Sequence, residues 1–378
     1  MEPPRYSCVI IGSSPICIIE AIYQSKSREN ILLVESDDNV GGAWKTIRLF
    51  DVEDVELGPH LIYSSCDNRD VYRFLSHLGI FMEFMSPEPA AILSGRFLGI
   101  KKIPIRRHWV EVISALFDGL SRKNSVPPLE IKRLLNRAIT SVIKQMLGFF
   151  SRPMYPQGGS SELIGKLAKI IDPNRVEVRL NTKVNALTID KANQTAILHT
   201  NESNILADKI ILTSHARLTA IREDGASALK LELQTSEFTL LHLLLRDARP
   251  PVFSYVRFYN HDLLVRMSDL TKYARLGGDT EGLRILCLHI HQRSHGRNNY
   301  VEKIFDFLKC NNYVGADASI MSYNFADCND SFLTANTVNA ISRKYAPIIE
   351  TLRTDDNLSY AISTNLNRWR DDRAAHPD

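Results

Sequence analysis

The opening run of the chain, up to Glu35, constrains the fold more than any other stretch. Tyr6 to Ile11 reads YSCVII, a short apolar run rich in β-formers, suited to a strand buried on both faces. Gly12-Ser13-Ser14-Pro15 breaks it, and Ile16 to Tyr23 is then apolar at helical spacing. Ile31-Leu32-Leu33-Val34 forms a second buried-strand run that ends at Glu35. Strand, tight turn, helix, strand and closing acid are what a dinucleotide-binding half requires. The turn presents the helix N-terminus to a diphosphate, and the acid accepts hydrogen bonds from ribose hydroxyls.

Within the turn the glycine fingerprint is incomplete. Where GxGxxG is expected the chain has Gly12-Ser13-Ser14-Pro15-Ile16-Cys17. Gly12 serves the turn, Ser14 stands where backbone approaches phosphate, and Cys17 stands where the helix packs on the strand. Ser14 is expected to cap the helix with Pro15 at its first position, its hydroxyl within reach of a phosphate. A Rossmann-like half that kept the fold and lost the ligand would read the same way.

Glu35 is followed by Ser36-Asp37-Asp38-Asn39-Val40-Gly41-Gly42-Ala43-Trp44-Lys45, an acid and then a Gly-Gly loop. This pattern resembles the two-dinucleotide-binding-domain flavoproteins: flavin amine oxidases, protoporphyrinogen oxidases, phytoene desaturases and UDP-galactopyranose mutases. The resemblance implies bound FAD. Gly12, Ser13, Ser14, Pro15, Glu35, Ser36, Gly41, Gly42, Ala43 and Trp44 would line it, the Gly-Gly backbone running beside the flavin and its diphosphate.

Other segments extend the likeness in the family's order. Val55-Glu56-Leu57-Gly58-Pro59-His60-Leu61-Ile62-Tyr63 resembles the GPH segment placed against the isoalloxazine. Carried over, Gly58, Pro59, His60 and Leu61 contact the flavin, with His60 and Tyr63 as catalytic candidates. Asp70 to Leu78 resembles the helix that follows. Met154-Tyr155-Pro156-Gln157-Gly158-Gly159 resembles the YPxGG return, with Ser160 or Ser161 expected to cap a helix over Leu163 to Ile171. Asn181-Thr182-Lys183-Val184 resembles the turn whose valine meets the adenine, and Ala207 to Ser214 the strand that rejoins the sheet and brings Thr213 and Ser214 to the cofactor.

Residues 86 to 151 and 232 to 329 are more than a flavin domain needs. The first holds a basic cluster, Lys101, Lys102, Arg106, Arg107 and His108, then helical patterns at Trp109 to Leu120 and Leu129 to Leu147. The cluster suits either an anionic substrate such as a diphosphate sugar or a solvated face. The basic, amphipathic run Leu129 to Phe150 is expected to pack within the substrate domain rather than on a membrane surface. The second region reads as antiparallel strands at Phe238–Leu245, Val252–Tyr259, His261–Met267 and Arg284–His291. By resemblance Arg266 would face cofactor or substrate, a third catalytic candidate. His289, His291 and His295 have no nearby Cys, Asp or Glu completing a ligand set, so no metal site is expected. From Ala316 to Asp378 there is no glycine, so the family's second, glycine-rich flavin motif is missing from Asn357 to Trp369.

Composition limits the function classes. Lys plus Arg exceed Asp plus Glu by only 46 to 43, so no basic field points to nucleic acid. Six dispersed cysteines form no disulfide scaffold. With no spanning apolar run and no basic leader before the first strand, a cytoplasmic location is expected. The expected fold is α/β: a discontinuous FAD- or NAD(P)-binding Rossmann-like domain (1–85, 152–231 and 330–378) with an inserted α+β substrate domain (86–151 and 232–329), an antiparallel sheet plus helices. The expected activity is FAD-dependent oxidation of a small molecule by hydride transfer to flavin. The alternatives are a mutase-like enzyme using reduced flavin on a nucleotide sugar, and a non-catalytic binding protein resembling Rab escort protein or GDP-dissociation inhibitor.

Overall fold

A computed structural model describes residues 2–58, 62–64, 69–85, 90–93, 101–104, 152–223, 229, 231–246, 254–259, 261–274, 282–291, 297–352, 362 and 365–366. Pro59, His60, Leu61, the Arg106–His108 end of the basic cluster, both helical patterns between 109 and 147, His295 and most of Asn357 to Trp369 lie outside them. Lys101 and Lys102 open the strand Lys101–Pro104, where only the backbone is described.

The apolar runs near the N-terminus become the centre of a five-stranded parallel sheet. Its order is Val176–Arg179, Ile31–Val34, Cys8–Ile11, Ile210–Thr213, Ile349–Leu352. The three central strands are buried at every residue, which is why their sequences are continuous rather than alternating. Helices Pro15–Gln24 and Gly159–Ile170 share a core on one face, joined by Val71 and Leu75 of helix Arg69–His77 and by Ile362 and Leu366 near the C-terminus. On the other face lies a second five-stranded sheet, Arg5–Tyr6, Asn204–Ala207, Thr195–Thr200, Val184–Asp190 and Ala220–Glu223, with helix Ala335–Tyr345. Each layer buries one apolar face, as a three-layer α/β architecture must.

A separate seven-stranded sheet runs Ser319–Leu333, Leu233–Arg246, Arg284–Ile290, Leu264–Asp269, Tyr255–Tyr259, Ala90–Leu93, Lys101–Pro104. It is antiparallel except where Ala90–Leu93 runs parallel to Tyr255–Tyr259. One face, with Leu241, Leu243, Leu286 and Leu288, packs on helix Arg297–Cys310. The other, with Leu240, Leu244, Ile285 and Cys287, packs on Val52 and Val55 of the hairpin Thr46–Leu49/Val52–Glu56. This second face roofs the segment leading to Gly58. A three-stranded sheet of Ile62–Ser64, Arg152–Pro156 and Met82–Phe84 completes the fold. The α/β class with a parallel Rossmann-like sheet and a distinct antiparallel sheet is the one the sequence predicts.

Two helix starts differ from expectation. Ser14 occupies the N-cap position with Pro15 inside the first turn, but its side chain makes no capping bond; the hydroxyl turns to Cys17 Sγ at 3.3 Å. The helix expected to begin at Leu163 runs from Gly159, with Gly158 at the cap and both serines inside the first turn. Neither serine caps it, because an acceptor arrives from elsewhere: Glu56 Oε1 takes the Ser160 amide at 2.8 Å.

Candidate functional site

The site is assembled at the carboxyl ends of the parallel strands, where open α/β sheets bind ligands. Cys8–Ile11 ends at Gly12, whose φ of +98° is a left-handed conformation open to glycine. The next residue, Ser13, is fully buried. Its amide donates to Glu35 Oε2 at 2.9 Å and its hydroxyl donates to the same oxygen. Glu35, 6% exposed, accepts at Oε1 from the Ser36 hydroxyl and the Asp37 amide, both at 3.1 Å. One carboxyl thus joins the turn after the first strand to the loop after the second.

The Gly-Gly loop is stitched to the same residue. Gly41 N–H donates to Ser13 O and Ser13 Oγ, each at 3.0 Å. Gly41 has φ +122° and Gly42 φ +56°. A Cβ on Gly41 would stand 3.3 Å from Ile164 and the Lys45 amide, and one on Gly42 would stand 3.5 Å from Ser14. Glycine is required here by conformation and, at Gly41, by space as well. Trp44 turns away into the core with Leu163 and Ile164, anchoring the loop, whereas Ala43 is exposed.

The other expected contacts arrive at this edge. Thr182 N donates to Glu35 O at 2.8 Å and Asn181 N to Asp37 O at 2.9 Å, so the Asn181–Val184 turn lies beside the acid. Val184 is buried with Ile11 and Val34. Thr213 ends the neighbouring strand with its hydroxyl accepting from His215 N, and the Ser214 carbonyl accepts from Leu333 N at 2.7 Å. Tyr63 pairs with Pro153 in the small sheet.

Above Gly58 the roof sheet presents polar side chains in cross-strand rows. His242, Cys287, Ser268 and Tyr255 are successive partners, and beside them run His289, Arg266 and Arg257. Arg266 Nη2 lies 3.3 Å from where a Gly58 Cβ would be, so the guanidinium covers this glycine. Burial, then the charges of Arg266, His291 and Arg257, hold the His289 imidazole down to about 4. Burial pushes the Cys287 thiol up to about 12. No group of three potential metal ligands forms among the described residues.

Sequence reasoning passed over the buried polar cluster behind this segment. Glu56, 2% exposed, accepts the Tyr155 hydroxyl at Oε2 (2.6 Å) as well as the Ser160 amide. His242, fully buried, donates from Nε2 to the Glu56 carbonyl at 3.3 Å, while Cys287 Sγ points to the Leu57 carbonyl at 3.7 Å. The available signal was an acid set among Val52, Val55 and Leu57, whose neighbours are core residues.

Comparison with known proteins places this geometry. Residues 10–78 match the NAD(P)-binding Rossmann-like domain. No curated protein sequence matches the chain. In structure the chain is similar to a provisionally named protoporphyrinogen oxidase from Exiguobacterium sp. 255-15, with 14% identity, TM-score 0.64 and all of both chains covered. It is similar to cyclohexylamine oxidase from Brevibacterium oxydans IH-35A at 12% identity, TM-score 0.64 and 98% of each chain. It is likewise similar to a reduced UDP-galactopyranose mutase, at 14% identity and TM-score 0.66, over 100% of this chain and 95% of that one. The chain shares the fold of these solved structures over nearly its whole length.

Proposed function

We propose that the protein is an FAD-dependent oxidoreductase of the amine oxidase and desaturase type, oxidising a small-molecule substrate in the cytoplasm. The observation that carries this reading is the joint made by Ser13, Glu35 and Gly41 at the carboxyl edge of the sheet. The residues fit a dinucleotide: three left-handed glycines keep side chains off the turn and loop, and the near-buried Glu35 carboxyl at the second strand's end, held by four protein donors, would exchange one of them for a ribose hydroxyl. The family likeness of Val184, Thr213 and Ser214, which sit at or beside that edge, supports the adenine and flavin ends of the same site.

In this reading Gly12 to Pro15, Gly41 and Gly42 would hold the diphosphate, and Glu35 the ribose. Bound flavin would supply an acceptor for the substrate's hydride. The chain itself orients and shields. The roof sheet, packed through Leu240, Ile285 and Cys287 on the hairpin before Gly58, would exclude water from the space above that segment. His60 and Tyr63 would stand nearest the reacting centre, and the substrate domain would comprise residues 86–151 and 232–329.

A second reading is favoured by Arg266. A guanidinium over Gly58, in a row with Arg257, suits an anionic substrate such as a nucleotide sugar handled without net redox change. Absorbance and mass of the molecule that copurifies test both. Flavin bands bleached by an added substrate favour the oxidase. Turnover only after dithionite or NAD(P)H reduction favours the mutase-like enzyme, and absence of any flavin favours a binding protein.

A further inference from the structure

The segment Val55 to Gly58 is held by four different elements, and Glu56 meets three of them, two through its side chain and one through its carbonyl. Glu56 Oε1 accepts from the Ser160 amide in the first turn of helix Gly159–Ile170, and Oε2 accepts from Tyr155 on the strand before it. The Glu56 carbonyl accepts from His242 in the middle of the roof strand Leu233–Arg246, and the next carbonyl, of Leu57, faces Cys287 on the adjacent strand. Gly159 makes the approach possible. Its φ is +76°, and a Cβ there would stand 2.9 Å from Glu56 Oε1 and 3.1 Å from Tyr273 Cβ. Tyr273 in turn packs on Tyr155, ring centroids 4.7 Å apart. The second glycine of the Tyr155-Pro156-Gln157-Gly158-Gly159 motif is therefore required by Glu56.

We infer that Glu56 is a positioning residue of the candidate site, whose carboxyl sets the Val55–Gly58 segment in register with the helix that follows Tyr155, while its carbonyl ties the same segment to the roof sheet. The inference deepens the flavin reading, on which its last step rests: a residue that fixes Gly58 fixes the backbone that Arg266 covers beside a bound ring. A buried carboxyl with two donors aimed into it and no cationic partner among its bonds is a poor way to gain stability alone. Its value is geometric, because both oxygens and the backbone carbonyl are committed to different parts of the fold. His242 fits the same role. Its Nε2 is used on Glu56, its Nδ1 has no hydrogen-bond partner among the described residues, and burial lowers its pKa, so the ring is a neutral single-point contact.

The test compares Glu56→Ala, Glu56→Gln and Tyr155→Phe in the full chain with two readouts: hydrogen exchange without added cofactor, and the visible circular dichroism of bound FAD. Glutamine keeps the volume and one oxygen acceptor, so it is expected to preserve both. Alanine is expected to raise exchange about tenfold in peptides spanning 52–58 and 155–165, leaving the parallel sheet protected, and to alter the flavin signal. Tyr155→Phe, losing one bond, shifts both readouts in the same direction and carries the test if the alanine variant does not fold. Exchange and flavin dichroism unchanged in Glu56→Ala, or in Tyr155→Phe where that variant carries the test, would overturn the inference. If the protein takes up no FAD while local exchange responds as stated, the clamp stands and the flavin reading fails instead.

Discussion

Replacing Glu35 by alanine is the most informative single change at the proposed cofactor cradle. The substitution removes the acceptor for the amide and hydroxyl of Ser13, a residue with no solvent exposure. A buried donor left without a partner costs about 1–3 kcal/mol, so two of them cost roughly 2–5 kcal/mol. The Ser36 and Asp37 donors lie nearer solvent, and water replaces most of their loss. In a chain of this length the result is a fall in Tm of about 2–6 °C. FAD affinity drops further, because hydrogen bonds to a charged group are worth about 1.5–3 kcal/mol, or one to two decades in Kd. Differential scanning fluorimetry and a flavin fluorescence titration measure the two effects. Adding Ser13→Ala separates them. In that background the donor hydroxyl is gone, so Glu35→Ala should cost less stability yet the same affinity. A Glu35→Ala protein with unchanged Tm and unchanged FAD affinity would refute the reasoning.

Further expectations follow from other positions. Gly42→Val forces a β-branched residue into φ +56°, costing about 1–3 kcal/mol and bringing new atoms against Ser14; denaturant unfolding should show the loss and flavin occupancy should fall. Burial raises the Glu56 carboxyl above its ordinary range more than Tyr155 and Ser160 lower it, with Asp54 adding to the rise. A raised acid favours folding below its unfolded value and loses that advantage as pH climbs towards the folded one. Unfolding free energy should therefore decline from about pH 4.5 upward more in the wild type than in Glu56→Gln; parallel profiles for the two proteins would contradict this. His289, held at about 4, should show ring NMR shifts that stay constant down through pH 5, and Arg266→Met should raise its midpoint by removing the charge that lowers it most.

What could be read before the structure divides along physical lines. The parallel sheet was legible because CVII, ILLV and IILT are buried on both faces and so carry unbroken apolar runs. Glu35 and the Gly41-Gly42 pair were legible because their residue types answer to local geometry, a strand end and a left-handed loop. Ser319–Leu333 went unread, although it pairs along nearly the whole of Leu233–Arg246. Lying at the sheet edge with alternate residues such as Met321 and Tyr323 exposed, it mixes polar and apolar residues without a continuous core signature. The helix caps failed for another reason. Ser14 and Ser160 are good capping residues by type, but one is drawn to Cys17 and the other's turn is already served by Glu56, a residue distant in sequence. Glu56, Tyr155 and His242 escaped notice on the same ground, since only the tertiary fold brings the hairpin, the small sheet and the roof to one point.

The central claim is that the cradle of Gly12, Ser13, Glu35, Gly41 and Gly42 holds FAD. Titrating the purified, flavin-stripped protein with FAD while following the visible absorbance tests it most directly. The account predicts saturable, stoichiometric uptake that gives a yellow protein and is weakened in Glu35→Ala. A colourless protein that shows no uptake at any FAD concentration would contradict it.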